Sequence, residues 1–597
     1  MRGLMRLLTR RARRIRNPRI ECGSRDRRLL PVAIVLWASC LGTRWLFNTI
    51  VGVGASADDV YANGAHAGET NSFDIVSNNP VAVIIMASGI ACAVIWLIST
   101  RLVHMGIGRT IVAVCIMAAL LGAIVTWSGL ATAWHDPAAV RGRETTGHLT
   151  VEGTVTAPVQ VSSNREADCQ AELRLQAIDD GSVRVASRAG VRLFASGDDC
   201  GRIHRGAVYR ASGTFSAARF GSTPLWLTVH SSEGLAVVKE QPWPERWRER
   251  VQESFFRATS RLSEQGRVLV PGLTMGFLGQ DHLPAAYEAR PVNDTYATRL
   301  EERFRAAGIM HLMAVSGGHF VIVAGLMRRL CARLLIPRRI VAVLLVTVTT
   351  VLAALMAPGD SVSRALVMGW IGAAALFLGR RTQALSALCV TVVVMLPLDP
   401  SLAWSYGFAL SCAAVLGIVL MSRPIADVIA LALPDRLADA TAMTIAAQTA
   451  TLPIQVMLEP QLPVWSVIAN VLVSPVVDFA TMAGLAGLAI AWLSVDAATP
   501  FAWIASWGTR VMERVAMWLG SGDHAVMPWA GGVGGALALA ALEAAVIVVI
   551  IRIARFMGPS RAEHAMPGEP FTSNPRNRLR IWWNDTMRMI RHLDDYR

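Results

Sequence analysis

Lysine is almost missing from this chain of 597 residues: it occurs once, at Lys239, outside any glycine-rich context. That excludes a Walker A loop, whose lysine must reach the terminal phosphates, and with it an autonomous ATPase. Charge is scarce too: Asp, Glu, Lys and Arg together reach only 17%, against about 25% in ordinary globular chains. The twelve histidines stand singly, and no pair has the close spacing of a zinc site. Neither a dedicated metallohydrolase nor a metal-dependent nuclease fits, and no cofactor or metal is expected. What fills the sequence instead is apolar, at 53% of residues, with a net charge of +14 carried almost wholly by arginine.

The apolar residues fall in runs. The first is Leu29–Val53, and others lie at about 81–99, 110–134, 308–327, 339–357, 362–379, 383–398, 403–421, 441–458, 464–494, 501–519 and 530–556. Most approach the ~20 residues of a membrane-spanning helix; shorter ones suit broken or re-entrant segments inside a bundle. The expectation is a polytopic α-helical membrane protein of about ten to twelve spans. Arginines at Met1–Arg28, Arg101–Arg109, Arg328–Arg339, Arg380–Arg381 and from Arg552 onward alternate so as to be cytoplasmic together. The net charge then serves chiefly as a topology signal, and both termini are expected in the cytoplasm. Ala55-Ser56-Ala57 resembles a signal-peptidase site, but the long basic segment before it favours a retained signal-anchor.

Between about Arg141 and Pro242 the period changes to two. Leu149–Val155, Glu172–Ala177, Val191–Leu193 and Leu225–Val229 alternate apolar and polar residues, separated by turn signals at Asp179–Gly181 and Ser196–Asp199. This predicts a small antiparallel barrel or sandwich of about five strands, OB-like and extracellular, inserted over 141–242. Phe194, Tyr209, Phe215, Phe220 and Trp226 are the aromatics able to stack nucleic-acid bases, or simply to fill a core. Cys169 and Cys200 are the cysteine pair of this island, and outside the cytoplasm they are expected to form a disulfide. The remaining organisation is a basic N-terminus at 1–28, helices at 29–140, an amphipathic connector at 243–300, a second transmembrane domain at 301–556 and a basic tail at 557–597. Within the connector, Pro244–Gln265 has helical spacing suited to one interfacial helix.

Polar residues inside the apolar runs carry the chemistry. Phe304-Arg-Ala-Ala-Gly-Ile-Met-His311-Leu-Met-Ala-Val-Ser316-Gly317-Gly318-His319-Phe320 brings two histidines and a serine beside two glycines. Such residues are costly in lipid and line a cavity or pair with one another; small residues there also permit close helix packing. A Ser–His nucleophile pair is conceivable, but no orienting acid stands nearby in sequence. Three further stretches follow in order: Ser361-Val-Ser-Arg364-Ala-Leu-Val-Met368; Leu396-Pro-Leu-Asp399-Pro400 with Gly407-Phe-Ala-Leu-Ser411; and Ala447-Gln448-Thr-Ala-Thr-Leu-Pro453 with Ala469-Asn470-Val-Leu-Val-Ser-Pro475. Together the four stretches resemble the ComEC family of bacterial competence proteins. The resemblance implies an inner-membrane channel passing single-stranded DNA during natural transformation, with an outward OB-like domain.

On that resemblance the DNA-path candidates are His311, Ser316, Gly317, His319, Arg364, Ser411, Gln448 and Asn470, with Asp399, Gly407, Pro453 and Pro475 as structural motif residues. Arg364 either attracts phosphate or pairs with Asp360 or Asp399, and the two prolines are expected to break their helices. Gly318 stands where the family has a bulkier apolar residue. Many relatives carry a metallo-β-lactamase-like domain, and no His-x-His-x-Asp-His cluster exists here. The implied partners are single-stranded DNA, membrane lipid, a separate DNA receptor, a cytoplasmic ATP-driven motor and a nuclease, with homo-oligomerisation open. Two rival functions are a transporter of a small anionic solute, and an intramembrane hydrolase built on Ser316 and the two histidines.

Overall fold

A computed structural model describes residues 27–51, 109–144, 146–162, 167–181, 183–218, 223–230, 234–283, 292–430, 433–522 and 524–557. The basic N-terminus, the run at 81–99, the cluster at 101–108, the Ala55–Ala57 signal, Phe220 and the basic tail lie outside these described residues.

Two apolar helices, α1 (Leu30–Val51) and α2 (Arg109–Trp134), pack on each other and lead to a short helix, α3 (Pro137–Glu144). A β-domain follows: β1 (Gly147–Val155), β2 (Gln160–Val161), β3 (Cys169–Asp179), β4 (Arg184–Ala186), β5 (Gly190–Ala195), β6 (Val208–Ala217), β7 (Leu225–Thr228) and β8 (Leu235–Lys239). Five strands close on themselves in the ring β1-β3-β5-β7-β6-β1. Counted along the chain these are ring strands 1-2-3-5-4, a Greek-key order of the OB type. The expected wholly antiparallel arrangement is corrected at one place, because β5 and β7 run parallel. Alternate residues of β1 are buried, from Leu149 through Val151 and Gly153 to Val155, and point into the core with Leu173, Leu193, Phe215 and Leu227. At Glu152/Gly153 the register with β3 shifts, the bulge a strand needs to bend around a small barrel. Cys169 and Cys200 are disulfide-bonded and tie the start of β3 to the 3₁₀ turn Gly197–Arg202.

The barrel is attached at both ends without slack. Asp136, in the corner between α2 and α3, accepts from Ala138 N, Ser187 Oγ and Arg188 N at 2.9, 2.6 and 2.8 Å. Ala138 of α3 is itself part of the barrel core. After β8 only three residues intervene before α4 (Trp243–Thr259), whose Val251, Phe255 and Ala258 are buried. Their partners are residues of α5 (Glu264–Met275), α13 (Ser466–Ala491) and α14 (Val495–Leu519). The helix expected over 244–265 is α4, which ends at Thr259, and a turn then leads into α5. The apolar face of α4 meets protein, because neighbouring helices supply enough apolar surface to cover it.

The remaining helices are α6 (Asp294–Ala306), α7 (Gly317–Arg333), α8 (Arg338–Leu355), α9 (Asp360–Phe377), α10 (Ala384–Leu398), α11 (Tyr406–Ile429), α12 (Asp435–Leu458) and α15 (Gly532–Met557). A two-stranded ribbon pairs β9 (Gln461–Pro463) with β10 (Val526–Pro528). Among the described residues, six helices are long and apolar enough to cross a membrane: α1, α2, α8, α11, α13 and α15. Other expected spans are present as shorter or more polar helices, of which α10 is the apolar one. The architecture is a polytopic helical membrane protein with an inserted five-stranded barrel. The most extensive helix–helix contacts are α13 with α14, α11 with α12, α1 with α2 and α8 with α9.

Candidate functional site

The first motif does not form one helix. Gly308 adopts a left-handed φ of +70°, and a Cβ there would come within 2.5 Å of Ser466 Cβ, so the chain turns sharply at a residue only glycine fits. A single 3₁₀ turn, Met310–Leu312, precedes the start of α7. Ser316 is the N-cap of that helix: its Oγ accepts from Gly318 N at 3.3 Å, and its own amide donates to His319 Nδ1 at 3.4 Å. The two residues form a reciprocal capping box. His319 is buried and donates from Nε2 to the Leu273 carbonyl at 2.8 Å. Both ring nitrogens are thus turned to backbone, and neither faces Ser316 Oγ. The Ser–His nucleophile pair conceived from sequence is a helix cap, which removes the geometric support for the hydrolase reading.

The second and third motifs meet this cap. Arg364, one turn into α9, is 4% exposed. Its Nε donates to Ser411 Oγ of α11 at 2.7 Å and its Nη1 to Met368 Sδ at 2.9 Å. Arg364 pairs with neither Asp360 nor Asp399. Asp360 instead accepts from Ser405 Oγ, and Ser405 caps α11 by accepting from Phe408 N at 3.3 Å. Gly407 lies beside that contact, where a Cβ would make only ordinary van der Waals contact with Asp360 Oδ2 at 3.5 Å. Asp399 caps the 3₁₀ turn Pro400–Trp404 by accepting from Ser401 N at 3.0 Å. Gly317 closes the group: a Cβ there would lie 3.3 Å from Arg364 Nη2. Gly317, Arg364 and Ser411 are therefore brought together, at the N-terminal ends of α7, α9 and α11.

The fourth motif gathers elsewhere. Ser466 Oγ donates to Gln448 Oε1 at 2.6 Å, and Asn470 Nδ2 donates to the carbonyls of Ser466 at 2.8 Å and Gly308 at 3.3 Å. These bonds bracket α12, α13 and the turn after α6, and they satisfy the polar groups that sequence alone assigned to a path wall. His311 stands beside this bracket and is exposed, lining a cavity of about 630 Å³ with Glu302, Arg305, Gly308, Gln455 and Glu459. Pro453 and Pro475 do not break their helices. α12 and α13 continue through them, as buried membrane helices tolerate proline when neighbours compensate the freed carbonyl. The eight path candidates accordingly divide into two clusters, with His319 and Ser316 serving as cap. Among the described residues no group of three or more His, Cys, Asp or Glu is placed to hold a metal ion.

Residues 293–555 match the family described as "Competence protein". Over that stretch the chain is similar to the competence family. It is 28% identical over 218 residues to ComE operon protein 3 of Bacillus subtilis (strain 168), a stretch covering 36% of this chain and 27% of that protein. The match thus spans about a quarter of the relative's length. No solved structure matches the chain significantly. Both clusters and the cap of α7 lie inside the competence domain, whereas the barrel precedes it in sequence.

On the barrel, the described aromatics fill the core, the second of the two readings. Phe194, Tyr209 and Phe215 are fully buried, and Trp226 packs edge-on against Phe194 with ring centroids 5.4 Å apart. Tyr209 hydroxyl donates to the Arg202 carbonyl at 2.7 Å and accepts from His204 N at 2.9 Å, so it is spent on the barrel's own end. Where the barrel meets α4, a cavity of about 510 Å³ is lined by ionisable side chains including His204, Arg205, Glu249, Glu253, Asp281 and His282. His204 is held above its ordinary value by its hydrogen bond to Glu249, 2.9 Å away. Burial, then Glu301, pushes Asp281 up to about 6.

Sequence reading missed two features. Asp478 is a lone carboxylate in the apolar helix α13, exposed and within electrostatic reach of His319. An acid isolated in a long apolar run was the signal for it. Gln265, Ser506 and Thr509 form a buried network between α5 and α14. Its members are 241 to 244 residues apart in sequence, and nothing local announces them.

Proposed function

We propose that this chain acts in DNA uptake as an inner-membrane channel that passes single-stranded DNA. The observation that carries this is the gathering of three helix N-termini, those of α7, α9 and α11, around Arg364, a buried cation with no carboxylate partner among the described residues. Helix N-termini are electropositive, and a polyanion needs a wet, electropositive entry where hydrocarbon would exclude it. The same end of the helical domain carries α4, since Gln252 donates to the Leu355 carbonyl at 2.9 Å at the C-terminus of α8. The barrel, which leads directly into α4, is therefore mounted on the side where these N-termini open. The arginine distribution supports placing that side outside the cell, with both chain termini in the cytoplasm.

In this function Arg364 draws phosphate inward without reading base sequence. Energy, strand degradation and capture of DNA at the cell surface fall to separate proteins: an ATP-driven motor, a nuclease and a receptor. The test is import of labelled DNA into the cytoplasm of cells with and without the protein. Import and transformation should be lost in the deletion and restored by the wild-type chain. Normal import in the deletion refutes the proposal, and loss of a small anionic solute's import alone would point to the transporter instead.

A further inference from the structure

The capping arrangement at α7 leaves one donor unused. Gly318 N is taken by Ser316 Oγ and Ser316 N by His319 Nδ1, while the amide of Gly317 has no hydrogen-bond partner among the described residues. Arg364 has the same property at one of its three nitrogens. Nε and Nη1 are engaged by Ser411 and Met368, and Nη2 has no acceptor among the described residues. The side chain is 4% exposed and lies within ion-pair distance of no carboxylate among the described residues. A buried charge without a counterion is strongly disfavoured unless an anion completes it. Nη2 points at Gly317, 3.3 Å from where a side chain would begin, and only hydrogen occupies that place.

We propose that Gly317 N and Arg364 Nη2 form a cradle for one phosphodiester group at the N-terminus of α7. The inference rests on the DNA-channel function proposed above and gives it a specific contact. Three physical terms favour a singly charged oxyanion there: the guanidinium charge, the free amide, and the electropositive end of a 17-residue helix. Ser411 is a positioning residue, since its hydroxyl fixes the plane of the guanidinium and so directs Nη2. Met368, one turn further along α9, restrains the other branch of the fork. The nearest acid of the cluster, Asp360, is occupied by Ser405 and does not compete for Arg364. Because the contacts reach only non-bridging phosphate oxygens, the cradle accepts any nucleotide sequence and releases each phosphate as the next arrives.

The test uses the full chain in detergent and two fluorescent probes, a dodecathymidylate with phosphodiester linkages and its neutral methylphosphonate counterpart. The wild type should bind the charged strand and not the neutral one. Arg364→Gln and Gly317→Ala should each weaken binding about tenfold or more. Each should also lower the slope of log affinity against log salt by about 0.7, the contribution of one single-strand phosphate. The double variant should bind no worse than Arg364→Gln alone, since both changes remove one contact. Should Arg364→Gln fail to fold, Gly317→Ala, which adds a single methyl and keeps the arginine, decides the matter. Wild-type affinity and salt slope in Gly317→Ala, with the charged strand still bound, overturn the cradle while leaving the channel function intact. Conversely, a wild type that ignores the charged strand but is thermally stabilised by inorganic phosphate through Arg364 has an anion site and no DNA function.

Discussion

Removal of the Cys169–Cys200 cross-link tests the account of the barrel quantitatively. The bond closes a loop across a sequence separation of 31, pinning the 3₁₀ turn after β5 to the first residue of β3. In the chain-entropy treatment a loop of that length is worth about 3.7 kcal/mol at 25 °C. That is a large share of the ~5–15 kcal/mol by which small domains are stable. The double variant Cys169→Ala/Cys200→Ala avoids leaving a lone thiol in the core, where Cys169 is fully buried. Hydrogen exchange on the full-length protein is the suitable assay, because it reads the barrel separately from the helices. Core amides of β1, β3 and β5, such as those of Val151, Leu173 and Leu193, should exchange roughly a hundred- to a thousandfold faster at one decade per ~1.4 kcal/mol. Helical amides in α11 and α13 should be unaffected. Unchanged exchange in the three strands would refute the view that this small barrel depends on its cross-link.

Other outcomes follow from the packing. The joint between the barrel and α4 should be tighter at pH 5.5 than at pH 8. Both His204 and Asp281 are raised by their surroundings, so each contributes stability at low pH that is lost as pH rises through its folded value, about 6 for Asp281. Proteolysis near residue 242 at the two pH values measures this, and Asp281→Asn should flatten the difference; equal protection would contradict it. Gln265→Leu should cost on the order of 1–3 kcal/mol, since Ser506 Oγ and Thr509 Oγ1 lose partners at 3.1 and 2.9 Å in a buried site. Gly417→Ala should destabilise the α11–α12 pair by about 1–3 kcal/mol, because its methyl would stand 2.3 Å from the Ala446 carbonyl oxygen. Thermal melting in detergent checks both, and melting temperatures equal to the wild type's would show that these contacts relax freely.

Much of the β-domain is legible in the sequence because a closed barrel buries one face of every strand, and the period-two alternation of β1, β3, β5 and β7 reports that directly. The strand that closes the ring, β6, escapes the same reading: Val208-Tyr-Arg-Ala-Ser-Gly-Thr-Phe-Ser-Ala dilutes its pattern with small residues. Gly213 is required there, since a Cβ would meet the Thr228 carbonyl oxygen at 2.2 Å. The helical part is legible as apolar runs, but not as partners. Arg364 with Asp360 looked like an ion pair by spacing, yet each found a serine of the 405–411 stretch. Ser316 and His319 looked like chemistry and proved to be a cap, because three-residue spacing suits both and only the orientation of Nδ1 separates them. The prolines misled for a related reason: rules learned for helices in water weaken where neighbouring helices meet the freed carbonyls.

Fixing the barrel at two posts, Asp136 on one side and α4 on the other, makes it a lever arm rather than a pendant bead. A tether would let pull on the barrel dissipate as entropy of the linker. Here a displacement of the barrel must strain Val251, Phe255 and Ala258 against α13 and α14, or break the Asp136 corner. A load placed on the barrel would thus be felt in the helices within the time a rigid body takes to tilt, and a few flexible residues inserted at either post would act as a clutch.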